Sequence, residues 1–195
     1  MIDLVIIGLG NIGEKYRFTR HNIGWLLIEK FSEKYELNFS KERGDYYSAE
    51  KSIFGKNILF VLPTTYMNNS GIAAKQIMAK YKVKPKQICI LVDEYNFPIG
   101  KFHLKATGSS GGHNGVTSMI EELGTNEFMR FRLGIDKKFG QGELVDYVLS
   151  NFSESEFVEV NKMLDESMIA IEYLVKVGFD RAMSEINSRK IFNSL

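Results

Sequence analysis

Apolar runs and helical patterns alternate along this chain, and most runs end at a glycine, a proline or an acidic residue. Buried strands are typically short apolar runs, whereas amphipathic helices repeat apolar side chains every three to four positions. On this basis strands are predicted over residues 2–7, 46–54, 58–62, 88–92 and 130–135, with a turn at residues 55–57. Helices are predicted over residues 21–35, from Asn68 or Ser70 to Tyr81, and over residues 116–123, 154–177 and 180–190.

Strands that alternate with helices predict an α/β fold, here a three-layer α/β/α arrangement around a twisted mixed sheet. We expect residues 1–195 to form a single domain, because 195 residues suffice for one sizeable core and no linker or repeat interrupts them. Ligands on such sheets bind at the carboxyl ends of the strands. Asn11 and Asp93 fall just after predicted strands, and Asn68 follows shortly after another, so these side chains are expected at that edge.

Composition narrows the class of protein. Apolar residues make up 44% of the chain and charged residues 25%, and the formal net charge is +1, which is typical of a globular protein rather than a general nucleic-acid binder. The single cysteine, Cys89, lies in an apolar run; we expect it to be a buried hydrophobic residue, and it favours a reducing compartment. No basic leader precedes an apolar stretch, and no apolar run approaches the ~20 residues of a membrane span. We therefore predict a cytoplasmic protein without a membrane partner.

Basic residues are unevenly distributed despite the nearly neutral total. They concentrate in the central and later part of the chain, at Lys101, His103, Lys105, Arg130, Arg132, Lys137 and Lys138, and acidic residues follow. A local basic face on a nearly neutral protein suits one specific anionic partner, although a mixed solvated surface has the same composition.

Three glycine-rich loops, at residues 8–13, 63–71 and 108–115, introduce most of the candidate chemistry. His21 lies between polar neighbours, and a neutral imidazole with a pKa near ~6.5 can act as a general base. Asp93, at the end of a buried strand, is placed to orient it. Asn11, Asn68 and Asn114 each offer an amide donor and acceptor, which can hold a water, a substrate amide and a developing oxyanion.

Two glycine motifs match known signatures only in part. Residues 8–13 fit the dinucleotide pattern G-x-G-x-x-G, but no helical pattern opens inside the motif. Residues 108–112 fit the nucleophile elbow G-x-S-x-G around Ser110, yet no histidine follows His113. Ligand spacings typical of metal sites and a P-loop are both absent from the sequence, so we expect neither a metal nor a cofactor.

Four ordered blocks resemble the bacterial-type peptidyl-tRNA hydrolase family, and the resemblance spans nearly the whole chain. The blocks are GLGN at residues 8–11, Tyr16 with TRHNIG at residues 19–24, PTTYMNNSG at residues 63–71, and GGHNG at residues 111–115. The family implies a monomeric α/β enzyme that uses neither metal nor cofactor. Its substrate is peptidyl-tRNA, and its reaction hydrolyses the ester between the peptide and the 3′ ribose, which recycles tRNA from stalled translation.

The resemblance also implies roles for individual residues. His21 corresponds to the catalytic base and Asp93 to the carboxylate that orients it. The substrate-binding positions are Asn11, Tyr16, Met67, Asn68 and Asn114; among them, Asn68 is a candidate oxyanion donor and Asn114 helps to position the water. Lys105 and one of Arg130 or Arg132, with Arg132 preferred, correspond to a basic pair that contacts the tRNA 5′-phosphate.

The sequence departs from the family pattern at two points. Asn96 stands where the family usually carries a second acid, three residues after Asp93. The last predicted strand ends in Gly134-Ile135-Asp136-Lys137-Lys138, where the family more often has Gly-Ile-Gly and a proline. We expect neither departure to abolish activity.

Two other functions fit parts of the sequence. Plant relatives that resemble these hydrolases act in intron splicing, so one alternative is a non-catalytic RNA-binding module. Such a module has no need of His21, Asp93 and the three asparagines together. The other alternative is a generic esterase that uses Ser110 as its nucleophile. Turnover that survives in a Ser110→Ala variant would contradict this alternative.

Overall fold

The structure, a computed structural model, describes residues 1–41 and 43–192. The predicted domain span of 1–195 therefore includes four positions that lie outside the described residues. Within the described residues a seven-stranded sheet forms the middle of the molecule. Its strands are β1 (Leu4–Gly8), β2 (Ser40–Lys41), β3 (Tyr46–Ile53), β4 (Lys56–Pro63), β5 (Ile88–Glu94), β6 (Phe102–Lys105) and β7 (Met129–Gly134).

Parallel strands form the centre of this sheet and antiparallel strands its edges. The strand order is β2-β3-β4-β1-β5-β7-β6. β1 pairs in parallel with β4 and β5, and β5 pairs in parallel with β7. β2 and β3 at one edge and β6 at the other run antiparallel to their neighbours, which confirms the predicted mixed sheet. Because the four central strands run the same way, the loops that follow them leave the sheet at one edge.

Helices cover both faces of the sheet, as predicted for a three-layer α/β/α fold. They are α1 (Ile23–Tyr35), α2 (Ser70–Tyr81), α3 (Asn114–Leu123), α4 (Leu144–Val148), α5 (Glu154–Val177) and α6 (Phe179–Asn187). Cys89 and Leu91 of β5 belong to the core under α1 and α5, whereas Ile90 and Val92 belong to the core under α2 and α3. Alternate side chains of one apolar strand thus serve two cores. Among the described residues, no helix is both long and apolar enough to cross a membrane.

Long elements agree with the sequence prediction, and short or irregular ones depart from it. The helix predicted over residues 154–177 is α5 itself. The first predicted helix begins late, at Ile23, because Arg20–Asn22 form a 3₁₀ turn, and α6 ends early, at Asn187. β2 and α4 were not predicted, since two and five residues are too few to show a period.

The β3–β4 hairpin turns earlier than predicted. Its two turn residues are Phe54 and Gly55, with φ angles of 51° and 74°, and β4 already begins at Lys56. Two consecutive positive φ angles suit the right-handed twist of a two-residue hairpin. The predicted turn at residues 55–57 is wrong. Bulky residues seldom adopt a positive φ, so the sequence does not indicate that Phe54 is a turn residue.

A glycine brings α1 close to the sheet edge that holds the site. A Cβ atom on Gly24 would lie 2.4 Å from the carbonyl oxygen of Leu91 and 2.9 Å from the backbone nitrogen of Leu9. These backbone atoms are themselves joined, because Leu9 N–H donates to Leu91 O at 3.0 Å. Only a residue without a side chain allows this approach, which fixes the start of α1, and the turn before it, over the ends of β1 and β5.

Candidate active site

Three side chains meet at the carboxyl ends of the central strands. Asp93 is the second-last residue of β5, and His21 lies in the 3₁₀ turn before α1. His113 is the N-cap of α3 and follows the glycine-rich loop. Chain connectivity alone does not join them, since 72 residues separate His21 from Asp93. The parallel sheet brings their loops together.

Asp93 receives hydrogen bonds from both imidazoles. Its Oδ1 atom lies 2.9 Å from His21 Nδ1 and 2.8 Å from His113 Nε2. An ionised carboxylate only accepts, so each ring donates an N–H to it. His21 in its neutral form then keeps an unprotonated Nε2, which is the nitrogen that a general base needs. His113 Nδ1 accepts from the backbone N–H of Val116 at 3.3 Å, which fixes its neutral ring with the proton on Nε2.

Burial and charge act against each other in this group. Burial alone would lower the pKa of His21, but the charge and hydrogen bond of Asp93 outweigh it and raise the pKa above 6.5. Burial alone would raise the pKa of Asp93, but His21 and His113 hold it well below its usual range. Asp93 therefore stays ionised at neutral pH.

The same three residues could hold a metal ion by distance alone. Among the described residues, they form a cluster whose ligand atoms all lie within 4.8 Å of one another. Both histidine nitrogens already donate to one oxygen of Asp93, so their protons occupy the space between ring and carboxylate. A metal ion would have to displace both hydrogen bonds. The donor set fits a hydrogen-bonded proton-transfer group without rearrangement.

Asn11 is the buried anchor of the first glycine-rich loop. Its side-chain Oδ1 accepts from Met67 N–H at 2.8 Å, which ties the loop after β1 to the loop after β4. Asn22, next to His21, accepts from Asn11 N–H at 2.8 Å and donates to Asn11 O at 2.9 Å. Asn11 Nδ2 has no acceptor among the described residues, so it is available to a ligand.

The other predicted substrate-binding residues occupy different depths. Asn68, in the 3₁₀ turn before α2, and Asn114, the first residue of α3, are both exposed. Tyr16 is half-buried and its ring lies edge-on to that of Tyr66, with centroids 6.3 Å apart. Met67 is only 4% exposed, and a Cβ on Gly115 would lie 2.4 Å from its sulfur. Met67 thus meets Asn11 through its backbone N–H while its side chain is buried, and its expected place in the cleft lining stays a prediction.

A cavity of about 150 Å³ joins Asp93 and His113 to the predicted phosphate-binding residues. Lys105, Arg130 and Arg132 line it. Lys105 is exposed, whereas Arg132 is half-buried and its Nε donates to Glu94 Oε2 at 3.0 Å. Arg130 is buried and donates to two carbonyl oxygens of the glycine-rich loop, those of Ser109 and Gly108.

The two departures from the family pattern have local structural roles. Asn96 donates its backbone N–H and its side-chain Nδ2 to Glu94 Oε1, at 2.8 and 2.9 Å. Asn96 thus holds the carboxylate that faces Arg132. Asp136 adopts a positive φ of 66° directly after Ile135, and its carboxylate pairs with Lys138 at 3.0 Å.

Neither partial glycine motif has the structure its signature requires. The first is followed by a 3₁₀ turn at Glu14–Tyr16, and no α-helix begins before Ile23, so the dinucleotide arrangement is absent from this described segment. Ser110 lies in a loop four residues before α3, whereas a nucleophile elbow passes directly from strand to helix. Its hydroxyl accepts from Gly112 N–H at 3.4 Å rather than contacting a histidine.

Sequence reasoning missed two residues of this group. The sequence presents His113 only within the GGHNG block and Asn22 only within TRHNIG. The one local signal for each is its neighbour, because His113 precedes Asn114 and Asn22 follows His21. The contact of His113 with Asp93 depends on the loop path and was not predictable from spacing.

A histidine that donates to a buried aspartate at the carboxyl edge of a parallel sheet, with exposed amide side chains on neighbouring loops, is an arrangement typical of hydrolytic enzymes. The chain matches the peptidyl-tRNA hydrolase family over residues 5–194. It is 40% identical to the peptidyl-tRNA hydrolase of Bacillus subtilis over 188 residues, covering 95% of this chain and 99% of that one. It is 39% identical to that of Thermodesulfovibrio yellowstonii over 186 residues, covering 94% and 98%.

Solved structures agree with these relatives. The crystal structure of peptidyl-tRNA hydrolase from Acinetobacter baumannii superposes with a TM-score of 0.90 at 29% identity, covering 96% of this chain and 97% of that one. The chain belongs to the peptidyl-tRNA hydrolase family.

Proposed function

We propose that this enzyme hydrolyses the ester between a peptide, or an N-blocked aminoacyl group, and the 3′ ribose of tRNA, with His21 as the general base. The observation that carries the proposal is the His21–Asp93 hydrogen bond of 2.9 Å at the strand ends of a chain of this family. The reaction returns free tRNA and peptide from stalled or aborted translation. Peptidyl-tRNA is the substrate, the site is a metal-free and cofactor-free one, and the protein acts as a cytoplasmic monomer of one domain.

The chemistry follows from the proton positions. Neutral His21 takes a proton from a water molecule at Nε2, while Asp93 accepts from Nδ1–H and stabilises the imidazolium. The water oxygen attacks the ester carbonyl carbon, and the carbonyl oxygen becomes an oxyanion. As this intermediate collapses, the ribose oxygen leaves and takes the proton from His21. The products are a tRNA with a free 3′ hydroxyl and a peptide carboxylic acid, which releases its proton to solvent and becomes a carboxylate.

The three asparagines contact different groups of the reacting complex. Asn68, with an exposed amide, donates to the oxyanion, an interaction typically worth ~2.7–4 kcal/mol. Asn114 positions the attacking water beside His113, and Asn11 binds the peptidyl part through its free Nδ2. Tyr16, through its ring, and Met67, through its backbone, complete this side of the cleft.

Substrate choice follows from the same groups. An N-blocked substrate presents an amide that asparagine side chains can bond, whereas a free α-amino group would bring a positive charge into the cleft. We expect N-acetyl-aminoacyl-tRNA to be cleaved much faster than free aminoacyl-tRNA. Equal rates would contradict this account of selectivity without affecting the role of His21.

The first test is hydrolysis of N-acetyl-aminoacyl-tRNA by the wild type and by His21→Ala, with EDTA and without added metal. We expect wild-type turnover to survive EDTA and the variant to lose at least about a hundredfold in kcat. His103→Ala, which removes the histidine outside the site, should keep wild-type kcat. Tight tRNA binding without wild-type cleavage would instead identify an RNA-binding module, and loss of turnover in EDTA would identify a metal enzyme.

A further inference from the structure

Arg130 is a buried cation with an unusual set of partners. The residue is 4% exposed, and no carboxylate within the described residues pairs with it. Its Nη1 donates to Ser109 O and its Nη2 to Gly108 O, both at 2.6 Å. The guanidinium carbon lies 4.7 Å from the centre of the Phe128 ring. A buried charge is costly unless its donors are satisfied, so this placement calls for a specific role.

The segment held by Arg130 is intrinsically loose. Gly108, Gly111 and Gly112 have φ angles of 148°, 60° and 83°, and a Cβ on either of the last two would touch nothing. These glycines are therefore required by the backbone conformation rather than by packing. Glycine loses more conformational freedom on ordering than any other residue, so such a loop needs external contacts to keep one shape.

The position of this loop decides whether His113 reaches Asp93. His113 follows Gly112 directly and donates from Nε2 to Asp93 Oδ1 at 2.8 Å. The backbone N–H of Val116 donates to the other ring nitrogen, Nδ1, at 3.3 Å, and the His21 ring lies against the His113 ring with centroids 4.8 Å apart. The carbonyls that Arg130 binds lie four and five residues before His113. A rigid β7 side chain thus fixes the loop that presents the second imidazole.

We infer that Arg130 is a positioning residue, whose two hydrogen bonds to the Gly108 and Ser109 carbonyls hold the glycine-rich loop so that His113 stays on Asp93. The inference rests on the proposed function only where it concerns turnover. Both terminal nitrogens of Arg130 are engaged by the chain itself, so Arg130 is not the phosphate contact of the basic pair. Arg132, two residues further along β7, pairs with Glu94 instead of the loop and is its matched control.

The structural test uses the ring protons of the histidines, of which the chain has three. In Arg130→Met we expect the His113 ring signal to move toward that of a free histidine, while the His103 signal stays in place. Arg132→Met should leave the His113 signal where it is in the wild type. An unchanged His113 signal in folded Arg130→Met overturns the inference. This result does not depend on whether the protein hydrolyses peptidyl-tRNA.

A second variant covers the case in which Arg130→Met does not fold. Arg130→Lys keeps the charge, but one ammonium does not reproduce the planar fork that spans two successive carbonyls. We expect a smaller displacement of the His113 signal in Arg130→Lys than in Arg130→Met. A lysine variant with wild-type signals and wild-type kcat would show that charge alone suffices and would overturn the inference.

The kinetic test is a double-mutant cycle on N-acetyl-aminoacyl-tRNA. We expect Arg130→Met and His113→Ala each to lower kcat about tenfold or more with little change in KM, because a small displacement in a site costs up to about a hundredfold. The double variant should be no worse than His113→Ala, since coupled residues give non-additive effects. Additive losses, or a loss confined to KM that vanishes on a substrate without a 5′-phosphate, would assign Arg130 to tRNA binding and overturn the inference.

Discussion

Asp93 shows at the scale of single residues how this site is held in its working state. One carboxylate oxygen accepts from two imidazoles, and the carboxylate is almost completely buried. Burial disfavours every charged form, yet the mutual interaction of Asp93 and His21 moves both pKa values toward the charged forms. Asp93 therefore stays ionised except in strong acid, and its hydrogen bond keeps the His21 ring in one orientation.

The raised pKa of His21 predicts the acid limb of the pH–rate profile. The base works when neutral, so activity falls as the pH drops through the pKa of His21, which lies above 6.5. Asp93→Asn removes the contributions that raise this pKa and leaves burial, which lowers it. We expect the acid limb of kcat to move to lower pH and the plateau to fall at least about a hundredfold. Rates of N-acetyl-aminoacyl-tRNA cleavage from pH 5 to 8 measure both, and a limb that moves upward would contradict the role of Asp93.

Lys105 gives a second prediction at residue scale. It is exposed beside the cavity that reaches Asp93, so its ammonium is available to a phosphate. Lys105→Ala should raise KM for full-length substrate and flatten its salt dependence by about one phosphate contact. Lys101→Ala, an exposed lysine outside the cavity lining, is the matched control and should change neither. Equal damage by Lys105→Ala to a short substrate lacking the 5′-phosphate would refute the contact.

At the scale of elements, the start of α5 supports the turn that carries His21. Arg20, the residue before His21, donates to Glu156 Oε2 at 2.9 Å, and its guanidinium lies between the rings of Tyr147 and Phe152. Glu156 also accepts from Ser153 N–H at 2.9 Å, which completes the capping box of α5. One carboxylate thus caps a 24-residue helix and holds the 3₁₀ turn that contains His21.

This arrangement predicts a stability effect at element scale. Glu156→Ala should lower the free energy of unfolding by about 3 kcal/mol, because it leaves a nearly buried guanidinium without its charge partner. Glu154→Ala, in the same first turn but exposed, should cost no more than about 1 kcal/mol. Urea unfolding measures both. Equal costs would show that helix-end charge, not the Arg20 contact, matters.

The pH dependence of that stability has a definite sign. Burial opposes ionisation of Glu156, but its hydrogen bonds with Ser153, Arg20 and Lys138 and the charge of Arg20 lower the pKa from 4.5 to about 2. The contribution is therefore fully present above pH 4.5 and is lost as the pH falls toward 2. We expect Glu156→Ala to show a smaller loss of stability between these pH values than the wild type.

At the scale of the whole molecule, the fold of the sheet places basic side chains together at one edge of a chain that is nearly neutral overall. The same edge that brings His21, Asp93 and His113 together also places Lys105 and Arg132 along one cavity. The formal net charge of +1 hides this arrangement, because acidic residues elsewhere balance it. An anionic substrate is thus attracted to one end of the cleft rather than to the whole surface.

Cys89 reports on the integrity of the whole fold. It lies in the central strand β5, fully buried, and burial raises the pKa of its thiol to about 12. A thiol reagent should therefore label the protein only through global unfolding, with a rate set by the unfolded population. If Glu156→Ala costs about 3 kcal/mol, it should accelerate labelling more than about a hundredfold. Labelling at the wild-type rate in that variant would show that β5 opens locally.

The sequence by itself determined the elements that are long and strongly patterned. Residues 4–7 and 88–92 are apolar because their strands are buried on both faces, and α5 shows a helical period from end to end. The same local rules placed Asn11 and Asp93 at strand ends, where ligands bind in such sheets. These rules failed at the Phe54–Gly55 turn, at β2 and at α4, where contacts with adjacent elements, rather than local sequence preference, determine the backbone conformation.

Only the tertiary structure decided which side chains meet. His113 reaches Asp93 because the glycine-rich loop is folded against Arg130, and Arg130 points to that loop because β7 lies beside β6 in the sheet. Met67 is buried because Gly115, which has no side chain, leaves room for its sulfur, and its backbone N–H donates to Asn11. Local patterns fix periodicity and strand ends, but a contact between residues tens of positions apart depends on loop paths and sheet order, which no local pattern encodes.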